Sequence, residues 1–203
     1  MTDRDGGVVV RSARAEESSQ LGRVLGAAFH DDPVWMWICP DPSRRRNHLG
    51  RLFAGLIRDR VRRGWGWTTD LHEGAAVWAA PDQWKTPNSE VLRLAIPAIR
   101  ATGLANIRPR LAALTQIEKS HPREPHWYLE VLGARPDLRG RGVGSALITP
   151  MIDRCDAEGV PAYLESSKEE NLAFYHRFGF EVTERVVLTK GCPPIWRMWR
   201  DPR

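Results

Sequence analysis

The sequence predicts an α/β fold with a mixed, partly parallel, twisted sheet of six to seven strands flanked by helices. Between residues 126 and 200 the patterns alternate strand, helix, strand, helix and strand, an order that requires crossover helices and parallel pairing. The chain before them adds one apolar run, two helical patterns and two short strands. At 203 residues the chain is long enough for one sizeable domain and short for two, so we expect a single domain over 1–203.

The first elements follow from apolar spacing. The run VVV at 8–10 predicts a strand. A first helix is predicted to end at Pro33, with apolar residues at helical spacing at Leu21, Val24, Leu25 and Ala28. A second helix is predicted from Ser43, a candidate N-cap, to about residue 64. The segments WGWTTD and GAAVWAAP then predict two strands in a hairpin around LHEG.

Residues about 82–121 have a different pattern from the segments on either side. Their helical periodicity is interrupted by Pro97, Gly103 and Pro109. A segment of roughly 40 residues is too small to enclose a core of its own. We therefore interpret it as a helical insertion before the central strand, lying over another part of the domain.

The last part of the chain carries the clearest patterns. HWYLEVLGA (126–134) predicts the central strand, GVGSALITPMIDRCDAEG (142–159) a helix and PAYLESS (161–167) the next strand. KEENLAFYHRFG (168–179) predicts a short helix that begins with a capping box of Ser167 and Glu170. FEVTERVVLTK and IWRMWR predict the closing strands.

Composition narrows the class of protein. No apolar run approaches the roughly 20 residues of a membrane span, and the N-terminal residues lack the apolar region of a secretory signal, so we expect a cytoplasmic protein without a membrane partner. The three cysteines share no close spacing, which predicts neither a disulfide framework nor a metal site. The net charge of +5 comes from scattered basic residues, so a nucleic-acid partner is not indicated.

The stretch RPDLRGRGVGSAL (135–147) places three glycines within five positions at the start of a predicted helix. The free N–H groups of a helix N-terminus favour an anion, and glycines let phosphate oxygens approach the main chain. Arg139 and Arg141 add positive charge. The spacing fits neither a P-loop nor a dinucleotide-binding fingerprint, and a plain turn would need fewer glycines. The residues therefore predict a site for a phosphate-bearing ligand.

The segment RGRGVG fits the pattern [QR]-x-x-G-x-[GA] through Arg139, Gly142 and Gly144. In this it resembles the GCN5-related N-acetyltransferase (GNAT) superfamily, and the neighbouring strands and NLAFYHRFGF look like that family's core over about 120–190. Within the superfamily the chain is most similar to puromycin N-acetyltransferases, in segments such as AAFHDDP, HPREPHWYL and GSALITPMID.

The resemblance implies acetyl-coenzyme A as cosubstrate and no metal. The pantetheine would run between the strands at 126–134 and 161–167, which splay apart, and the main-chain N–H of Leu132 would polarise the thioester carbonyl. Cofactor-binding residues implied in this way are Leu132, Arg139, Gly140, Arg141, Gly142, Val143, Gly144, Ser145 and Asn171.

The same resemblance implies two catalytic residues. Glu130 would be the general base; the alternative is a structural carboxylate paired with an arginine, because a buried charge is costly without a partner. Period-2 alternation places Glu130 on one strand face with His126, Tyr128 and Leu132, of which His126 and Tyr128 are substitute bases. Tyr175 would protonate the departing thiolate; the alternative is a position in a core stripe with Asn171, Phe174 and Phe178.

The acceptor implied is the primary amine of a small molecule, such as an aminonucleoside or an antibiotic like puromycin. A protein amine acetyltransferase and a non-catalytic acetyl-coenzyme A sensor stay open as alternatives, as do the monomer and the homodimer. Tryptophans are expected to border the acceptor cleft beside acidic residues, although a core position is the alternative for most of them; those concerned are Trp35, Trp37, Trp78 and Trp84, with Asp31, Asp32 and Glu73.

Overall fold

The computed structural model describes residues 7–85, 87–104 and 107–203. The strands are β1 (Val10–Ser12), β2 (Gly66–Thr69), β3 (Gly74–Ala79), β4 (Trp127–Ala134), β5 (Ala162–Ser166), β6 (Glu181–Val186) and β7 (Ile195–Arg200). The α-helices are α1 (Ser18–Ala28), α2 (Pro33–Ile38), α3 (Pro42–Arg62), α4 (Asn88–Thr102), α5 (Ile107–Lys119), α6 (Val143–Glu158) and α7 (Leu172–His176).

The strands form one seven-stranded mixed sheet in the order β1-β2-β3-β4-β5-β7-β6. The β4–β5 pair is parallel, and the other pairs among the described strands are antiparallel. Helix α6 provides the type of crossover connection that joins parallel neighbours. The predicted fold class, a partly parallel sheet flanked by helices, is confirmed.

The parallel pair is short. Strands β4 and β5 are paired at three positions, Trp127 with Ala162, Tyr128 with Tyr163 and Leu129 with Leu164. Strand β4 nevertheless continues to Ala134 and β5 to Ser166. The two strands therefore separate beyond these pairs, which confirms the predicted splay and opens the sheet at its centre.

A β-bulge lies in β4 at the same point. Val131 is opposite Val77 and Leu129 is opposite Trp78, so Glu130 is the additional residue with no partner on β3. An added residue shifts the side-chain alternation by one position. Leu132 consequently packs on the α6 face with Leu129, and Val131 packs on the other face with α1 and α3. The predicted common face for Glu130 and Leu132 is therefore wrong.

Aspartates cap two helices, α2, which the sequence did not predict, and α3, for which serine was the predicted cap. The Asp32 carboxylate accepts hydrogen bonds from two amides of α2, so Pro33 begins a short helix where the sequence predicted an end. The Asp41 carboxylate does the same for α3, in place of the predicted Ser43. Strand β1 begins at Val10, where the predicted strand at 8–10 ends.

The predicted helix at 168–179 is shorter and starts differently. A 3₁₀ turn spans Glu169–Asn171 and leads into α7 at Leu172–His176. The expected capping box is wrong, because the Ser167 hydroxyl donates to the Asp32 carboxylate instead. This contact joins the start of α2 to the end of β5.

Helices α4 and α5 lie between β3 and β4, where the helical insertion was predicted; residues 86, 105 and 106 of that stretch lie outside the described residues. Pro97 lies inside α4 and Pro109 inside the first turn of α5, so neither ends a helix. Helix α4 packs against α3.

Helices α1 and α3 approach closely at glycines. A Cβ added at Gly22 would lie 2.6 Å from the main-chain N of Ala54 and would also meet the main-chain O of Gly50. We expect Gly22→Ala to lower the free energy of unfolding by about 2 kcal/mol, because backbone atoms cannot yield as a flexible side chain does. Urea unfolding measures this, with Ser19→Ala at an exposed position of the same helix as the matched control. Equal stability of the two variants would contradict the close contact.

Candidate active site

The glycine loop between β4 and α6 has two residues in the left-handed region. Gly140 has a φ of 77° and Gly142 a φ of 82°, and a Cβ added at either position would meet no atom within 4 Å. These glycines are therefore required for their backbone conformation and not for lack of room. The outer side of the loop is open to a ligand.

Several amide groups where this loop joins α6 have no acceptor, although that of Arg141 donates to the main-chain O of Leu138 at 3.2 Å. Helix α6 has no side-chain cap, and the first amide bonded back into the loop is that of Ala146, which donates to Gly142. Within the described part of the chain, no hydrogen-bond acceptor faces the N–H groups of Gly140, Gly142, Val143, Gly144 and Ser145. A row of unpaired donors at a helix N-terminus fits the oxygens of a phosphate or diphosphate.

Two arginines at the loop differ in their partners. Arg139 is exposed and pairs with Asp31 at 3.2 Å, and Asp31 also pairs with Lys168 at 3.1 Å. The exposed Arg141 side chain has no hydrogen bond or ion pair with any residue that the structure describes. Arg141 is thus the cation most available to an incoming anion, while Arg139 would have to leave Asp31.

Leu132 and Asn171 are the other predicted cofactor contacts for which the structure gives a position. Leu132 is half-buried on β4 beyond the last β4–β5 pair. Asn171 is exposed at the turn before α7, and its side chain bonds to none of the described residues. Their contacts with a cofactor stay predictions.

Helix α7 packs across the N-terminus of α6. A Cβ added at Gly144 would lie 3.5 Å from the Phe174 ring, so this side chain covers the first turn of α6. Tyr175 is the next residue and is buried against Phe174 and Phe180, with ring centroids 5.1 Å and 6.1 Å away. The predicted candidate acid is therefore held beside the glycine loop.

Tyr175 has features of both roles considered from the sequence, a core residue and a proton donor. Its ring belongs to the core on the α6 face, and its hydroxyl forms no hydrogen bond with the described residues. Burial raises the pKa of Tyr175 above its usual value, and the charge of Asp32 adds to the rise. The phenol thus stays protonated and keeps a free donor.

Glu130 is paired with an arginine, as the structural alternative expected. Nε and Nη2 of Arg60 donate to its two carboxylate oxygens at 2.9–3.1 Å, and Nη2 also donates to the main-chain O of Trp84 at 2.8 Å. Burial raises the pKa of Glu130, and the Arg60 guanidinium opposes that rise. The role of Glu130 as general base stays a prediction.

A second carboxylate, which the sequence analysis did not single out, lies on the neighbouring strand. Glu165 accepts hydrogen bonds from the hydroxyls of Tyr128, at 2.7 Å, and Tyr163, at 2.8 Å. The tripeptide YLE occurs at 128–130 and again at 163–165, and the two copies pair in register. That repeat is the sequence signal that could have identified Glu165.

Aromatic rings surround this carboxylate. Trp84 stacks on His121 with ring centroids 3.8 Å apart, and His121 approaches Tyr128 and Tyr163 edge-on at 4.8 Å and 5.1 Å. The Nε2 atoms of His121 and His126 are 3.0 Å apart. Burial lowers the pKa of His121 to about 3, so this imidazole is neutral near pH 7.

Other tryptophans expected at the acceptor cleft have scaffold positions. Trp78 is fully buried, so the expectation that it borders the cleft is wrong. Trp35 packs against Phe53 with ring centroids 4.8 Å apart. Trp84 is the half-buried tryptophan that lies near Glu130.

Three further features bear on ligands and location. None of the helices that the structure describes has the length and apolar character that a bilayer crossing requires. No cluster of three or more His, Cys, Asp or Glu side chains in the described ranges could hold a metal ion. The three cysteines are buried and unpaired.

The sequence matches a known protein family. The sequence profile of the Acetyltransferase (GNAT) family matches residues 58–180. An uncharacterized N-acetyltransferase of Schizosaccharomyces pombe is 26% identical, in an alignment that covers 96% of this chain and 84% of that protein.

Solved structures agree in fold. A Corynebacterium glutamicum structure described as histone acetyltransferase HPA2 and related acetyltransferase is similar with a TM-score of 0.66 and 24% identity, over 97% of each chain. A polyamine N-acetyltransferase of Drosophila melanogaster, which forms N-acetylagmatine, has a TM-score of 0.65 and 17% identity, over 96% of this chain and 100% of that one.

The ion pair of Glu130 with Arg60 can be tested by stability. We expect Glu130→Ala to lower the free energy of unfolding by about 3 kcal/mol, because the buried guanidinium of Arg60 loses its bidentate partner and keeps only a contact with Asp59 at 3.8 Å. The double variant Arg60→Met/Glu130→Leu removes both charges and should recover most of the loss. Denaturant unfolding of the single and double variants checks this, and an equal loss in both would show that the unpaired charge is not the cause.

Proposed function

Because the chain belongs to the acetyltransferase (GNAT) family, we propose that it transfers the acetyl group of acetyl-coenzyme A to the primary amine of a small molecule. The transfer would be direct, with both substrates bound together. The observation that carries this proposal is the row of unpaired amides at the start of α6, beside the opening between β4 and β5.

The chain's own groups account for cofactor binding. The unpaired amides of Gly140 and of the segment 142–145 would hold the diphosphate, with the side chains of Arg141 and, once released from Asp31, Arg139 adding charge. Acetyl-coenzyme A supplies the activated acetyl thioester. The separated strands would receive the pantetheine, and the main-chain N–H of Leu132 would polarise the carbonyl. Asn171, at the turn before α7, would contact the cofactor.

Two protons must move during the transfer. The acceptor ammonium loses one before its nitrogen attacks the carbonyl, and Glu130 is the predicted base that takes it, with a pKa raised toward neutral pH by burial. The sulfur leaves as a thiolate, and the unbonded Tyr175 hydroxyl would give it a proton. The products are the N-acetylated amine and coenzyme A.

Two lines of support favour a small-molecule acceptor. The resemblance of segments such as AAFHDDP and GSALITPMID to puromycin N-acetyltransferases suggests an aminonucleoside or a related antibiotic. The structurally similar Drosophila protein acetylates agmatine, also a small amine. A protein amine is the second candidate, because the Corynebacterium relative is described as a histone acetyltransferase. A cytoplasmic location and the choice between monomer and homodimer stay predictions.

Release of coenzyme A tests the function directly. Free thiol is measured with acetyl-coenzyme A and a panel of puromycin, agmatine, longer polyamines and arylalkylamines, and a cell lysate is examined for protein mass shifts. We expect thiol release with at least one small amine. Binding of acetyl-coenzyme A without any release would favour a sensor, and protein acetylation alone would favour the second candidate.

Tyr175 provides a test of the chemical step. We expect Tyr175→Phe to lower kcat about 100-fold, because the thiolate loses its proton donor while the ring and its packing remain. The Kd for coenzyme A, measured by calorimetry, and the melting temperature serve as controls and should not change. Unchanged turnover would leave Tyr175 as a core residue only.

Arg141 provides a test of the diphosphate site. We expect Arg141→Ala to raise the KM for acetyl-coenzyme A about ten-fold, because charged hydrogen bonds to the diphosphate are lost. The KM for S-acetylpantetheine, which has no diphosphate, should stay the same. Arg135→Ala is the matched control, since Arg135 is exposed nearby but is paired with Asp137. Equal effects on both acetyl donors would place the diphosphate elsewhere.

A further inference from the structure

We propose that Glu165, with the hydroxyl groups of Tyr128 and Tyr163, binds the ammonium group of the acceptor and selects protonated amines over neutral ones. The inference rests on the proposed acetyl transfer and concerns the choice of acceptor. Four observations support it: the position of Glu165 in the sheet, the balance of its charge, the aromatic rings around it, and a cavity nearby.

The place of Glu165 follows from strand register. Leu129 and Leu164 form the last pair between β4 and β5, and Glu130 and Glu165 are the next residues on their strands. The two carboxylates therefore flank the point at which the strands separate. An acceptor nitrogen that reaches a thioester held in this opening must approach them.

The charges of the two carboxylates are balanced differently. Glu130 is neutralised by the bidentate contact with Arg60. Glu165 is half-buried and forms no ion pair with any described residue, and both of its hydrogen-bond donors are uncharged phenols. Arg197 lies opposite Glu165 on β7, but its salt bridge is with Glu184, at 2.6 Å. Burial raises the pKa of Glu165, and the two phenols and the charge of Arg197 oppose that rise only in part. A cationic ligand would offset the remaining cost of burying this carboxylate.

The surroundings of Glu165 suit an organic cation. The rings of Tyr128 and Tyr163 lie 5.7 Å apart, and His121 and Trp84 extend the aromatic cluster. Aromatic faces attract ammonium groups. The His121 imidazole is neutral, since burial lowers its pKa to about 3, so it does not repel a cation. The two phenols hold the carboxylate in place.

Space for the rest of an acceptor lies next to this cluster. A cavity of about 460 Å³ opens at the surface beside Tyr163, and its lining includes two arginines and two glutamates: Arg123, Arg197, Glu124 and Glu184. Tyr163 therefore borders the cavity with its side chain and binds Glu165 with its hydroxyl. Glu165 does not itself line the cavity, so an acceptor in the cavity would extend its amine past Tyr163 to reach this carboxylate.

The test compares two kinds of acceptor at pH 7. An alkylamine is protonated there, whereas an arylamine or a hydrazide of low basicity is neutral. We expect Glu165→Gln to raise the KM for alkylamines at least about ten-fold and to leave the KM for the neutral acceptor nearly unchanged, because the lost contact is made by charge. Glu124→Gln is the matched control, since it removes an exposed carboxylate that lines the same cavity and bonds to none of the described side chains, so it should change neither KM selectively.

A binding measurement separates this inference from the function on which it rests. Butyltrimethylammonium, a cation that cannot be acetylated, should bind the unaltered protein in calorimetry and lose that binding in Glu165→Gln. Tyr128→Phe/Tyr163→Phe should weaken it in the same direction. Equal losses with charged and neutral acceptors, or cation binding unaffected by Glu165→Gln, would overturn the inference. If no amine is acetylated at all, the proposed function fails and the cation measurement still decides the role of Glu165.

Discussion

The organisation of this protein depends on the early end of the pairing between β4 and β5. Three residue pairs join the two strands, and both strands continue beyond them. Within a continuously paired sheet, hydrogen bonds between neighbouring strands occupy the main-chain groups and leave no space for a ligand. The separation creates an opening at the centre of the sheet, and the glycine loop, α7 and the two glutamates are arranged around it.

The opening is held by different interactions on its two sides. On the α6 face, apolar packing of α7 places Tyr175 beside the start of α6, through the contact of Phe174 with Gly144. On the opposite face, polar contacts dominate: Arg60 fixes Glu130, and two phenols fix Glu165. The α6 face thus suits proton donation to a sulfur atom, and the opposite face suits the binding of a charged amine.

The strands and helices could be predicted from the sequence because their apolar periodicity is local. The unpaired amides at the start of α6 could be predicted because three glycines at a helix start leave main-chain donors without a partner. The predictions failed where the outcome depends on distant contacts. The bulge at Glu130 moved Leu132 to the other face, and a period-2 pattern contains no sign of an added residue. Ser167 does not have its predicted capping role, because its hydroxyl donates to the carboxylate of Asp32, which is remote in sequence. The surroundings of Glu165 likewise depend on the pairing of two YLE segments that are 35 residues apart.

A crystal structure with coenzyme A bound is the most direct measurement of the central claim. The account predicts diphosphate oxygens within hydrogen-bond distance of the amides between Gly140 and Ser145, with the pantetheine between β4 and β5 and its sulfur near the Tyr175 hydroxyl. A cofactor bound at another surface, or loop amides that face solvent while it is bound, would contradict the account.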